Sequence, residues 1–339
     1  MSRTPRTLVA WAALMAASLG FASTAVALQA DSAAPAGPST SGNPYQSVAL
    51  KAPPGFPLSA EHQEYVDGIL QYWETSSSQI QRLKCSFNRW SYDSSVCNYQ
   101  DPRTGRMVAY EIAGGELQFQ DPDKAYISVE RKRLAVPPSA GSPELTWKDL
   151  DAAEMDLQKE RYVCSGDAIY MFDFAGKQLI KQNLPPELRG NGIKGTPLPF
   201  LFGAKADDLK ARYWIRPMET PPGVEKQWYL EIYPKYVQDA ENYSVARIVL
   251  AGDEFMPKSV QLFSPDFNPQ ELRLADGGTM PAVIKYQVYE FQDHDVNFTL
   301  NKLLNLWRDA FQPRTPSGWR LVEKQMADQQ AAAAGAVTR

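Results

Sequence analysis

The sequence predicts a mostly β protein with flanking helices, of the α+β class, built on one antiparallel and strongly curved sheet. Three observations predict it. Short runs with apolar residues two apart recur between turn signals, the period of half-buried strands. No strand–helix–strand alternation of the parallel-sheet kind accompanies them. One connection, Pro197-Leu198-Pro199-Phe200-Leu201-Phe202-Gly203, carries four large apolar residues where a surface connection is usually polar. Such a segment must bury itself, and the mouth of a concave sheet is the place for it, as a plug or lid.

The elements follow in order. Arg3 and Arg6, the apolar stretch Leu8 to Phe21 and Ala25-Val26-Ala27 form the anatomy of a cleaved secretory signal, residues 1–27. No cysteine follows the cleavage point until Cys85, so no lipid-anchor site is expected, and no later run approaches the roughly 20 apolar residues of a membrane helix. A periplasmic or secreted protein is expected. Residues 28–57, rich in Ala, Ser, Pro and Gly, read as a flexible tether. Ser59 is an N-cap candidate, and Tyr65, Val66, Ile69, Leu70 and Trp73 fall at helical spacing behind it, as far as Ser76-Ser77-Ser78.

Strands are expected at Lys84–Tyr92, Met107–Gln120, Ala125–Val129, Arg161–Cys164, Ile169–Phe174 and Lys177–Lys181. Further strands are expected at Trp228–Tyr233, Arg247–Leu250, Ser259–Phe263 and Val283–Phe291. Asp121-Pro122-Asp123-Lys124 and Ser165-Gly166-Asp167 are turns. Residues 134–160 read as a surface insertion, and Thr299–Phe311 as a last amphipathic helix. The single domain thus runs over 58–322, with 323–339 a disordered Gln/Ala-rich tail.

Charge and cysteines exclude function classes. Removing residues 1–27 takes away two of the 35 Lys+Arg and none of the 39 Asp+Glu, leaving 33 against 39, a net charge of −6. Nucleic acid and anionic surfaces reward clustered cations, so neither is an expected partner. Arg131-Lys132-Arg133 reads as the solvated end of a strand. Cys85, Cys97 and Cys164 are an odd set, read as buried thiols, with one disulfide to Cys164 as the alternative; Cys85 and Cys97 on one long strand would lie too far apart to bridge. The two histidines, His62 and His294, belong to no hydrolase or metal motif. In Asp293-His294-Asp295 neighbouring side chains of a strand would point to opposite faces. No catalytic residue, metal or cofactor is expected.

Several stretches carry a resemblance. Leu83-x-Cys85-Ser86-Phe87, Gly115-Glu116-Leu117-x-Phe119-x-x-Pro122, Trp228 to Lys235 and Phe311-Gln312-Pro313-x-x-Pro316-x-Gly318-Trp319, in this order and with the apolar segment between them, resemble the periplasmic lipoprotein carrier LolA and its relatives. The runs Leu184-Pro185-Pro186-Glu187, Leu198 to Asp207 and Tyr213-Trp214-Ile215-Arg216 also resemble a planctomycete family of secreted, uncharacterised proteins. The resemblance implies an open half-barrel wrapped around a long helix, with a lid over a cavity for acyl chains. The family's lid-holding arginine has no counterpart, since Asp121 stands at the matching position and cannot donate hydrogen bonds to lid carbonyls.

The expected function is binding of a lipid, or of an acylated protein, by a monomer; the alternative is an envelope interaction module whose sheet is filled by its own side chains. Phe87, Leu117, Phe119, Ile127, Ile169, Met171, Leu230, Ile232, Leu262 and Tyr286 are the candidate walls. Leu198, Phe200, Leu201 and Phe202 are the candidate lid. A surface of Trp73, Trp90, Trp214, Trp228 and Trp307 for sugar stacking competes with core packing of the same residues. Burying about ten methylenes at roughly 0.8 kcal/mol each outweighs an association cost of about 4 kcal/mol.

Overall fold

The computed structural model describes residues 48–138, 144–184, 205–252, 255–267, 284–298 and 309–324. The signal segment, the candidate lid, Trp307 and nearly all of the last predicted helix lie outside the described residues.

Helix α1 (Ala60–Ser78) begins where its cap predicts. Ser59 is extended, and its hydroxyl accepts the His62 N–H at 3.3 Å, satisfying one donor that the helix itself leaves open. Val66, Ile69, Leu70, Trp73 and Ser77 form the buried stripe. Tyr65, expected on that stripe, instead faces outward at 49% exposure, one residue round the helix from Val66.

Thirteen strands follow: β1 (Arg82–Asp93), β2 (Glu111–Gln120), β3 (Lys124–Val136), β4 (Thr146–Asp149), β5 (Glu160–Ser165), β6 (Ala168–Asp173), β7 (Gln178–Asn183), β8 (Tyr213–Pro217), β9 (Gln227–Pro234), β10 (Val245–Ala251), β11 (Met256–Phe263), β12 (Lys285–Val296) and β13 (Arg320–Lys324). The short helices are α2 (Ala152–Gln158), α3 (Ala206–Arg212) and α4 (Val237–Ala240). The strands form one open, curved sheet in the order β13-β7-β6-β5-β3-β2-β1-β12-β11-β10-β9-β8, with β4 added on β3. Among the described strands only β13, on β7, is parallel to its neighbour. Two meanders, β1 to β7 and β8 to β12, therefore meet at β1·β12, in the register Phe87↔Phe291, Arg89↔Tyr289 and Tyr92↔Tyr286. The Asn297 side chain clasps this seam: it accepts the N–H groups of Gln81 at 2.8 Å and Arg82 at 3.1 Å and donates to the Gln79 carbonyl at 2.8 Å.

Several expectations are corrected. β4, β8 and β13 escape the period-2 signal because they are only four or five residues long. β13 runs to Lys324, past the expected end of the domain. The tether is already docked from residue 48: Leu50 N–H donates to the Lys235 carbonyl at 2.8 Å, and Phe56 packs edge-on to Tyr233. The insertion is tied down too, by β4 on β3 and by a capping box between Asp151 and Glu154 on α2. Cys97 lies beyond the end of β1 rather than on it, and all three cysteines are buried free thiols.

Most apolar side chains point to the α1 side and form one cluster with that helix. The other face carries two smaller clusters, one around Tyr233, Val245, Phe263 and Phe267 and one around Val163, Phe172 and Leu179.

Gly115 marks the tightest approach in the sheet. The β2·β3 register shifts between Gly114 and Gly115, and a Cβ at Gly115 would sit 1.8 Å from the Ser128 carbonyl oxygen. Backbone must move to admit it, so Gly115→Ala is expected to cost about 3 kcal/mol, read as a lowered midpoint in chemical denaturation.

Candidate functional site

Strand parity decides where each candidate wall residue points. Phe87, Leu117, Phe119, Ile127, Ile169, Leu230, Ile232 and Leu262 lie between 0 and 7% exposed in the cluster that holds Val66, Ile69, Leu70 and Trp73 of α1. Met171 packs half-buried against the same cluster. The structure thus brings nine of the ten to one face. Tyr286 lies on the other face. β12 turns Tyr289 and Phe291 to the helix, and an odd-residue step along a strand reverses the side. Tyr286 stacks on Tyr92 with ring centroids 4.4 Å apart and leans on Phe263 at 5.3 Å.

The candidate lid residues Leu198, Phe200, Leu201 and Phe202 fall outside the described residues, but both flanks of their segment are placed. Leu184, 1% exposed, joins the helix-side cluster, and the Ala206 N–H at the start of α3 donates to Glu74 Oε2 of α1 at 3.0 Å. Of the candidate tryptophans, Trp73 and Trp228 join the helix-side cluster, whereas Trp214 packs on the opposite face.

A cavity of about 210 Å³ opens at the ends of β1, β11 and β12. Two candidate walls, Leu262 and Tyr286, line it together with Tyr92, Tyr110, Phe263 and Pro265. Leu262 belongs to the helix-side cluster and Phe263 to the opposite one, so the cavity straddles the end of the sheet. Burial, and then the neighbouring Tyr92, push the Tyr286 phenol up to about 12, which keeps it neutral and a hydrogen-bond donor. Polar residues, among them Glu241, Asn242, Asp266, Lys285 and Gln287, complete the lining, and rings and polar groups together suit an amphipathic molecule.

Sequence reasoning missed a second feature entirely. Arg89, Glu111, Lys132 and Glu160, on β1, β2, β3 and β5, are all buried and meet in one ionic cluster. Arg89 Nη1 and Nη2 donate to the two Glu160 oxygens at 2.9 and 2.8 Å, and Nη2 also reaches Glu111 at 2.8 Å. Lys132 Nζ lies 2.7 Å from Glu160 and 3.5 Å from Glu111. Two cations meet two anions, so the cluster is neutral. This corrects the solvated reading of Arg131-Lys132-Arg133: the outer two are exposed, but Lys132 is 4% exposed. The signal available in sequence was only that Lys132 sits between two residues of opposite parity on a strand. Burial tends to raise the Glu160 carboxyl, but Arg89 and Lys132 outweigh it and hold the group down at about 2.

Cys85 and Cys164 are pushed up to about 12 and about 11 by burial, far from a nucleophilic thiolate. Among the described residues no group of three or more His, Cys, Asp and Glu side chains is placed to hold a metal, and no helix is long and apolar enough to cross a membrane.

No protein-family model matches the chain, and no curated protein matches it. Solved structures match the chain over most of its length at low similarity. An uncharacterized conserved protein from Thermus thermophilus is 9% identical, with 77% of this chain and 99% of that one covered at a TM-score of 0.35. A LolA superfamily protein from Nitrosomonas europaea is 10% identical, covering 70% and 96% at 0.29. The lipoprotein LppX of Mycobacterium tuberculosis is 8% identical, covering 70% and 99% at 0.32. At these values no ligand or activity passes from them to this chain.

The ionic cluster generates a prediction with a definite sign. Glu160 has its pKa lowered from 4.5 to about 2 in the folded protein, so its contribution to stability is complete above the unfolded value and is lost as pH falls from 4.5 towards 2. Arg89→Met would leave two buried carboxylates sharing one ammonium and is expected to cost about 3–5 kcal/mol at neutral pH, whereas replacing all four groups with apolar side chains of similar volume should cost far less. Thermal melts of the two variants between pH 2 and pH 7 check both statements.

Proposed function

We propose that this chain is an exported, non-enzymatic binding protein that holds an apolar ligand, a lipid or the acyl chains of a lipid-modified protein. The observation that carries the reading is the cavity of about 210 Å³ whose wall includes Leu262, a member of the helix-side cluster, and Tyr286. An acyl chain would lie against Leu262, Phe263 and the tyrosine rings, with Asn242, Lys285 and Gln287 beside it for a polar end. The run Leu198, Phe200, Leu201 and Phe202 supports the reading from the sequence side, because its apolar surface calls for cover and its segment returns to the domain beside Glu74 of α1. The secretory signal and the resemblance to secreted families support a periplasmic or secreted setting, with the acylated molecule or an envelope protein as partner.

One observation favours a second reading, a filled structural module. Leu230, Ile232 and Ile248 are at most 1% exposed and already pack with α1, as a closed core would.

Uptake of a fluorescent fatty-acid probe by the purified chain separates the two. The binding reading expects saturable uptake, weakened about tenfold (about 1.4 kcal/mol) by Phe200→Asp and by Tyr286→Ala. Absence of saturable uptake, with both variants altering only the melting temperature, would sink it and leave the filled module.

A further inference from the structure

A second site, distinct from the apolar cavity and independent of the reading above, lies where β8, β9 and β10 meet the start of α1. Arg216 on β8, Glu231 on β9 and Arg247 on β10 are direct cross-strand partners. Arg216 donates to Glu231 Oε2 from Nε at 2.7 Å and also from Nη2. Arg247 donates to Oε1 from Nε at 3.0 Å and Nη2 at 2.9 Å. The Tyr233 hydroxyl donates to Oε2 at 2.7 Å. Both carboxylate oxygens are thus taken, and one buried anion faces two guanidiniums. The two pairs tie three strands together and leave a surplus positive charge, in a chain that carries more acidic than basic residues.

The surplus is presented to a recess. A space of about 420 Å³ is walled by Arg216, Arg247 and Glu231, by His62 at the start of α1, and by Leu58 and Met218. Arg216 is committed: its Nη1 donates to the Pro54 carbonyl at 3.1 Å, and Nη2 meets the Tyr233 hydroxyl at 2.7 Å. Arg247 is not. A third of its side chain is exposed, and its Nη1 has no hydrogen-bond partner among the described residues. Its plane is fixed from one side by Glu231 and from the other by the Phe263 ring, 5.1 Å from the guanidinium carbon. A guanidinium held in place, with donors open to a recess, matches the geometry of a tetrahedral oxyanion. Gly55 shapes the wall: at φ +92 it lets the chain press to within 3.2 Å of Arg216 Nη1, measured from a hypothetical Cβ.

We propose that this recess binds a phosphate group, with Arg247 as its principal ligand, His62 as a further donor, and Leu58 and Met218 flanking the organic part of a phosphate ester. Glu231 acts as the positioning residue. Burial works against its charge, but the Tyr233 hydroxyl and the two arginines overcome that and keep it ionised.

Inorganic phosphate is the first probe, titrated into the full chain while the arginine Nε–H resonances are followed by NMR. The expected result is a saturable shift of the Arg247 and Arg216 signals, weakened by added chloride, with Arg247→Gln lowering the affinity at least about tenfold. Co-sedimentation with phosphatidylglycerol vesicles, against phosphatidylcholine vesicles as the control, identifies the source. Loss of vesicle binding in Arg247→Gln assigns the phosphate to a lipid head group; phosphate binding without vesicle binding assigns it to a free or soluble ester. No saturable arginine shift, or an unchanged affinity in a folded Arg247→Gln variant, overturns the proposal. Should that variant fail to fold, the shifts in the unaltered chain decide alone. The probe has no acyl chain, so failure here leaves the fatty-acid result untouched.

Discussion

The pairing of β1 with β12 is the constraint on which the remaining structure depends. It joins residues about 200 positions apart, Leu83 to Val296 at one end and Asp93 to Lys285 at the other. Without it the chain is two separate meanders, each with an unpaired strand edge. With it, α1, which leads directly into β1, is placed over both halves, and the apolar residues of β9, β10 and β11 meet the same helix as those of β1, β2 and β3. The closure entropy of so long a loop is recovered only when many contacts form together. The Asn297 clasp sits at the end of this seam, where α1, β1 and β12 converge on one side chain.

Within the sheet, single-residue alternation sets chemistry as well as packing. Along β9, Leu230 and Ile232 are fully buried in the helix-side cluster, while Glu231 and Tyr233 between and beyond them build the charged ladder of the opposite face. On β1 the helix-side row changes character partway, from Leu83, Cys85 and Phe87 to Arg89 and Ser91. One end of the interior is thus apolar and the other polar.

Much of this was legible in the sequence. Ser59 as a cap, the stripe from Val66 to Trp73 and the alternating strands depend on neighbours in sequence, and each lies where local pattern puts it. The sheet class followed from the same pattern. What was not legible depends on partners far along the chain. Tyr286 looks like any aromatic on an alternating strand, and only its register against Tyr92 and Phe263 fixes its side. Lys132 reads as a solvated cation until Glu111 and Glu160 come from other strands to bury it. Glu231 gives no hint that two arginines 15 and 16 residues away will share it. Short edge strands such as β8 hold too few residues for a period to declare itself.

The three buried thiols carry a consequence in time. A disulfide is exchanged by thiolate, and at neutral pH a thiol raised to about 12 is ionised only on the order of one part in 100,000. Cys85 in the folded sheet is thus chemically silent towards oxidants, and Cys164, whose sulfur lies 3.2 Å from the Asp123 carbonyl, is nearly so. An odd set of cysteines is hazardous to a nascent chain in an oxidising compartment, because any two can cross-link wrongly and the third can capture a neighbour. In the folded chain all three sulfurs are buried, so burial rather than a covalent bond is what keeps them apart from oxidants and from one another.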